Sequence, residues 1–119
     1  MIVGDFVDIF ASSELVYAGE QLTLTCFVTI ETVSQITWID PSGNPIPVGG
    51  TDKIVSSSIM DGSETAVNLT FRSIRTSESG IYQCVAKITG LSSEFRGEYS
   101  VIVQSKFIKR LISKLQVFK

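Results

Sequence analysis

Hydrophobic side chains recur at every second position in one short stretch after another along this chain. In EQLTLTCFV (residues 20–28), Leu22, Leu24 and Cys26 alternate with Thr23 and Thr25. SQITWID (34–40) sets Ile36 and Trp38 on one face, and AVNLTFRSI (66–74) sets Val67, Leu69 and Phe71 opposite Asn68, Thr70 and Arg72. IYQCVAKIT (81–89) aligns Tyr82, Cys84 and Ala86, and EYSVIVQ (98–104) aligns Tyr99, Val101 and Val103. A repeat of two belongs to a β-strand with one buried face, because successive side chains point to opposite sides.

Weaker strands are expected at 53–59, which is rich in serine, and once or twice within 8–17. Turn signals separate them: PSGNP at 41–45, Asp61-Gly62, and a loop expected over Gly90 to Gly97. No helical period appears before residue 105. The chain has 119 residues, the size of one domain. Seven to nine short strands in that length predict an all-β fold, two antiparallel sheets packed face to face.

Composition narrows function by exclusion. The chain has no histidine, which removes the commonest general base and the commonest metal ligand. Its two cysteines do not form the close pairs typical of zinc sites. No catalytic residue, metal or cofactor is expected. All twelve acidic side chains lie in residues 1–104 with five basic ones, Lys53, Arg72, Arg75, Lys87 and Arg96. That acidic body argues against nucleic acid, whose phosphates need clustered lysine and arginine. No apolar run reaches the roughly 18 residues of a membrane-spanning helix. The N-terminus, MIVGDFVDIF, does not read as a secretory signal, since Asp5 and Asp8 interrupt it. The chain reads as an excised domain with a start methionine, or as a truncated gene product.

Cys26, Trp38, Leu69, Phe71, Ile74, Gly80, Tyr82 and Cys84 together give the chain its resemblance to the immunoglobulin superfamily, over residues 12–104. The expected fold is thus an immunoglobulin-like Greek-key β-sandwich. The resemblance implies a disulfide between Cys26 and Cys84, on opposite sheets, with the Trp38 indole packed against it. It implies a tyrosine corner at Tyr82, whose hydroxyl bonds the preceding backbone turn, with Gly80 accommodating that turn. Glu78 stands where an aspartate is usual, and a surface pair with Arg72 is expected. The chain resembles the intermediate set or a short variable-like type. Residues 41–50 leave room for a short C′ strand but no C″ strand, and Phe95-Arg96-Gly97 departs from the Phe-Gly-x-Gly of antigen receptors.

A bridge closing a 58-residue interval stabilises by about 4 kcal/mol on the chain-entropy model and implies an oxidising compartment. The expected function is therefore non-enzymatic protein binding outside the cell, in adhesion or receptor–ligand recognition, with a protein ligand or a second copy as partner. Neither nucleic acid nor a small-molecule substrate is implied. Two other readings stay open: a structural module of an intracellular filament protein with reduced thiols, and an immune-receptor variable-like domain.

Three surface features are candidates for function. Gly90, Leu91, Ser92, Ser93, Glu94 and Phe95 form the loop after the second cysteine; either Leu91 and Phe95 are exposed apolar contacts there, or one of them tucks under the edge of the sandwich. The outward residues Gln35, Thr37, Gln83, Val85 and Lys87 define a sheet face, with Val85 an exposed apolar residue on it. Asn68-Leu69-Thr70 is an N-glycosylation sequon whose asparagine alternation turns outward. Residues 1–104 are thus read as the domain and 105–119 as a basic amphipathic tail. In that tail Ile108, Leu111, Ile112 and Leu115 follow helical spacing, among Lys109, Arg110 and Lys114. Linker or fusion scar, docking helix and membrane-surface helix are its three readings; with no spanning run, membrane contact falls to the tail or to a segment beyond the chain.

Overall fold

A computed structural model describes residues 7–29, 33–59, 65–88, 90 and 94–106, excepting the side chains of Val33, Ser34, Ser58 and Ile59. Ten strands follow one another: β1 (Val7–Ala11), β2 (Val16–Tyr17), β3 (Leu22–Val28), β4 (Val33–Ile39), β5 (Pro45–Ile46), β6 (Lys53–Ile59), β7 (Thr65–Phe71), β8 (Gly80–Ile88), β9 (Glu94–Val101) and β10 (Val103–Gln104). Four make one sheet in the order β1–β3–β7–β6, and four make the other in the order β5–β4–β8–β9, all antiparallel. The fold is the expected immunoglobulin-like sandwich. Between β7 and β8 the chain crosses from one sheet to the other through a 3-10 turn at Thr76–Glu78.

The alternation dictates the layering. Along β3 every inward residue, Leu22, Leu24, Cys26 and Val28, is buried, and each residue between them is half-buried. Cys26 on the first sheet is bonded to Cys84 on the second, with their Cα atoms 6.4 Å apart. Trp38 lies opposite Cys84 in the β4–β8 register, fully buried. Its indole Nε1 donates to the carbonyl of Val67, 3.2 Å away, and Val67 is the residue opposite Cys26. One covalent and one polar link therefore tie the two layers at the same level. Phe71 and Tyr82 meet edge to face in the same core, with ring centroids 5.4 Å apart. Rings of this size each bury enough apolar surface for about 4–6 kcal/mol of transfer free energy.

Two glycines mark close approaches. Gly97 faces inward opposite Cys84, and a side chain there would stand 2.9 Å from Val7 Cγ1 and 3.3 Å from the Val7 carbonyl. The missing side chain lets β1 approach β9 across the edge of the sandwich. Gly80 has φ of +144°, and a Cβ there would come within 2.7 Å of the Pro41 ring.

The first strand divides its loyalty. β1 pairs with β3, after which β2 runs parallel to β10 at the end of the other sheet. The last strand breaks at Ile102 because β8 begins at Gly80, opposite Val101, so nothing of β8 remains to pair beyond it. Val101 and Val103 stay buried across the break while Ile102 is exposed. From Gly80↔Val101 to Lys87↔Glu94 the β8–β9 register is unbroken, without the bulge of an antigen-receptor last strand. No strand intervenes at 47–52 between β5 and β6.

Three expectations are corrected. The loop after Cys84 is shorter than 90–97, because Glu94 to Gly97 already belong to β9. Val85 is buried, at 6% exposure, although it points away from the core. Glu78 pairs with Lys53 at 3.8 Å rather than with Arg72, and its other oxygen accepts the Arg75 backbone N–H at 2.9 Å. The tail helix and the Asp61-Gly62 turn lie outside the described residues.

Candidate binding surface

The outer face of β4, β8 and β9 is built by register. Gln35, Lys87 and Glu94 form one row across the three strands, Thr37, Val85 and Arg96 the next, and Ile39, Gln83 and Glu98 the third. Long polar side chains on β8 and β9 then meet as cross-strand neighbours. Arg96 donates through Nη1 to Gln83 Oε1 at 3.0 Å and through Nη2 to Glu94 Oε1 at 3.0 Å. Gln83 donates in turn to Glu98 Oε2 at 2.8 Å, and Lys87 Nζ lies 3.9 Å from Glu94 Oε2. The chain Glu98–Gln83–Arg96–Glu94–Lys87 thus runs over the face without a break.

Val85 forms the floor beneath it. Its direct cross-strand neighbours are Thr37 and Arg96, and Arg96 is held by two hydrogen bonds. Half-exposed ion pairs of this kind contribute under about 1 kcal/mol each to stability. The network holds four charged heads in one arrangement, so an association through this face would cost less ordering entropy. Two acids and two bases leave the face near neutral. At its margin Ile81 is half exposed, and Val48, near the β5 edge, is 82% exposed.

β5 pairs only with Trp38 and Ile39, so among the described residues the β4 edge before them has no partner on that side. A groove of about 320 Å³ opens there, with Ile36, Ile46 and Val55 in its wall and Pro47 and Val48 at its rim.

The candidate loop is placed only in part. Gly90 is exposed with φ of +83°, and Leu91, Ser92 and Ser93 lie outside the described residues. Glu94 is the first residue of β9 and joins the polar chain; Phe95, next to it, turns inward and packs against the core. Of the two readings, Phe95 follows the one in which it tucks against the sandwich. Cys26, Cys84, Trp38, Leu69 and Tyr82 are all core residues. The Tyr82 hydroxyl donates to the Glu78 carbonyl at 2.7 Å. Burial raises its pKa well above the tyrosine range, and the negative charges of Glu78 and Asp40 raise it further. A phenol so held is a structural donor, not an acid–base group. Asn68 sits half-buried on the outer face of the other sheet. Among the described residues no group of acidic or cysteine side chains has the geometry of a metal site.

Arg96 and Glu98 are residues of this candidate surface that sequence reasoning missed. A signal was present, since Glu94, Arg96 and Glu98 alternate in sign at a spacing of two.

The family model described as "Immunoglobulin domain" matches residues 7–87. No curated protein matches the chain. Among solved structures the chain is similar to "Down Syndrome Cell Adhesion Molecule (DSCAM) isoform 1.30.30, N-terminal eight Ig domains", with 18% identity and a TM-score of 0.58. The match covers 86% of this chain and 13% of that one, and it is a likeness of fold.

Proposed function

The chain belongs to the immunoglobulin domain family, and from that premise we propose that it is a non-enzymatic, extracellular protein-binding domain. Its role is cell adhesion or receptor–ligand recognition, exercised through the outer face of β4, β8 and β9. The observation that carries this reading is the pre-ordered polar chain from Glu98 to Lys87 over the buried floor of Val85. The disulfide supports an oxidising compartment, and the absence of histidine supports a role without catalysis. The short β5, the interval before β6 with only the Gly49–Val55 bridge in it, and the division of the first strand into β1 and β2 favour the intermediate set over a variable-like type.

A second copy of the chain is the partner the face suits best. Along β9 the charges read Glu94, Arg96, Glu98. Two such stripes related by a two-fold axis between positions 96 and 98 bring each arginine against a glutamate of the other. An isologous interface requires that self-complementarity. The solved structure to which the chain is similar in fold carries the name of an adhesion molecule, which agrees with this role.

The test uses beads coated with the oxidised chain. Beads bearing the natural sequence are expected to cluster, and Arg96→Glu to disperse them. Clustering that survives Arg96→Glu removes the face from consideration, and dispersed beads under both coats remove self-recognition. Intact mass with and without reductant tests the compartment: a gain of two hydrogens on reduction is expected, and its absence in protein isolated without reductant counts against an extracellular site.

A further inference from the structure

We infer that Asn68 carries an asparagine-linked glycan, which covers the outer face of the β1–β3–β7–β6 sheet and leaves partners the opposite face. This rests on the extracellular reading above, because such sugars are added along the secretory route. Asn68-Leu69-Thr70 is the one sequon of the chain; the other asparagine, Asn44, is followed by Pro45 and an isoleucine.

The structure adds where the acceptor atom points. Leu69 is fully buried, so Asn68 and Thr70 face outward on either side of it. Asn68 stands between Thr25 on β3 and exposed Ser56 on β6. The Thr25 hydroxyl donates to Asn68 Oδ1 at 2.7 Å, which turns Nδ2 away from β3. Among the described residues Nδ2 makes no hydrogen bond. That nitrogen is the one that takes the sugar. It attacks C1 of an oligosaccharide held on a polyisoprenyl pyrophosphate; the N–C bond forms, the C–O bond to pyrophosphate breaks, and one amide proton is lost. The hydrogen replaced is engaged with none of the described residues, so the attached sugar removes none of the polar contacts described for the sheet. Thr70, the hydroxyl residue of the sequon, stays in its own contact with Thr23 at 3.1 Å.

The same face gives the sugar something to cover. Phe10 is 59% exposed on the edge strand β1 and meets Phe27 edge to face, with centroids 5.5 Å apart. Phe10, Thr25 and Asn68 form one row across β1, β3 and β7. Phe10 therefore lies about 10 Å from Asn68, two strand spacings, within the span of the two N-acetylglucosamines at a glycan's root. Sugar C–H faces are apolar enough to lie on aromatic rings, whose faces are electron-rich. A bare phenylalanine on an edge strand invites edge-to-edge association. The outer face of β4, β8 and β9 has no sequon, so its polar chain remains open to a partner.

The experiment is secretion of the whole chain, behind a cleavable leader, from cultured animal cells, with intact mass measured before and after peptide-N-glycosidase. Treatment is expected to lower the mass and leave aspartate at position 68. Asn68→Gln is expected to lose the modification, and Thr70→Ser to retain it. A secreted, disulfide-bonded chain with unmodified Asn68 overturns the glycan while leaving the extracellular reading intact. A chain retained in the cell with free thiols overturns the extracellular reading, and the glycan with it. The covering role is read by sedimentation: deglycosylated chain is expected to associate more than glycosylated chain, and Phe10→Ser to abolish the difference. Equal sedimentation of the two forms overturns that role.

Discussion

Tyr82→Phe removes one oxygen atom and nothing else, which makes it the sharpest probe of the turn that carries the chain between the sheets. The ring is 1% exposed and keeps its edge contact with Phe71. What is lost is the donor to the Glu78 carbonyl, at 2.7 Å. A neutral hydrogen bond is worth about 0.5–1.5 kcal/mol net, and a carbonyl left without its partner adds a desolvation cost of about 1–3 kcal/mol when buried. Glu78 is partly accessible, so water recovers part of that cost, and the expected loss is about 1.5 kcal/mol. For a domain of this size that lowers Tm by about 5–10 °C. Urea unfolding should show a lower midpoint with an unchanged slope.

The comparison extends to alkaline pH, with a fixed sign. The folded-state pKa of Tyr82 is raised above its ordinary value of 10.0. The group therefore contributes stability that is fully present below pH 10 and is lost as pH rises further, when the unfolded chain ionises and the folded one does not. Above pH 10 the advantage of the natural sequence over Tyr82→Phe should shrink by up to about 1.4 kcal/mol per pH unit. Other groups titrate in both proteins and cancel in the difference. A variant within 0.5 kcal/mol of the natural sequence at pH 8, or an advantage constant from pH 9 to 11, would refute the reasoning.

Gly80→Ala should cost more than about 2 kcal/mol, because a positive φ and the rigid Pro41 ring both oppose a Cβ there; thermal unfolding measures it. Replacing Cys26 and Cys84 by alanine together should lower stability by about 4 kcal/mol or more, read from urea midpoints. Val85→Ala separates a buried from an exposed valine: about 1–2 kcal/mol is expected for the buried residue, and a loss under 0.5 kcal/mol would mean water already reaches it.

The layered fold was legible because a period of two survives in every long strand and the signature residues occupy its inward phase. The first half of β9 was the exception. Gly90 and Gly97 both read as turn residues, and the charges between them looked like a loop. In fact only Gly90 punctuates; Gly97 is a strand residue whose bareness admits Val7. With the first half of β9, residues 94–97, read as loop, Arg96 could not be placed beside Val85, and the valine read as exposed. Glu78 was misjoined for a related reason: Lys53 is distant in the chain and meets it only once β6 and the 3-10 turn are packed.

The parallel ribbon of β2 and β10 has a mechanical consequence. Val103 pairs with Val16 and Gln104 with Tyr17, and the Ala18 amide donates to the Gln104 carbonyl at 2.8 Å. Parallel strands near the two termini leave the ribbon toward opposite ends of the domain. A pull on Val16 against Gln104 would load the ribbon in shear, so its bonds would yield together and not in succession. On the N-terminal side β1 would first have to part from β3, so the two pairings lie in series along that end of the chain.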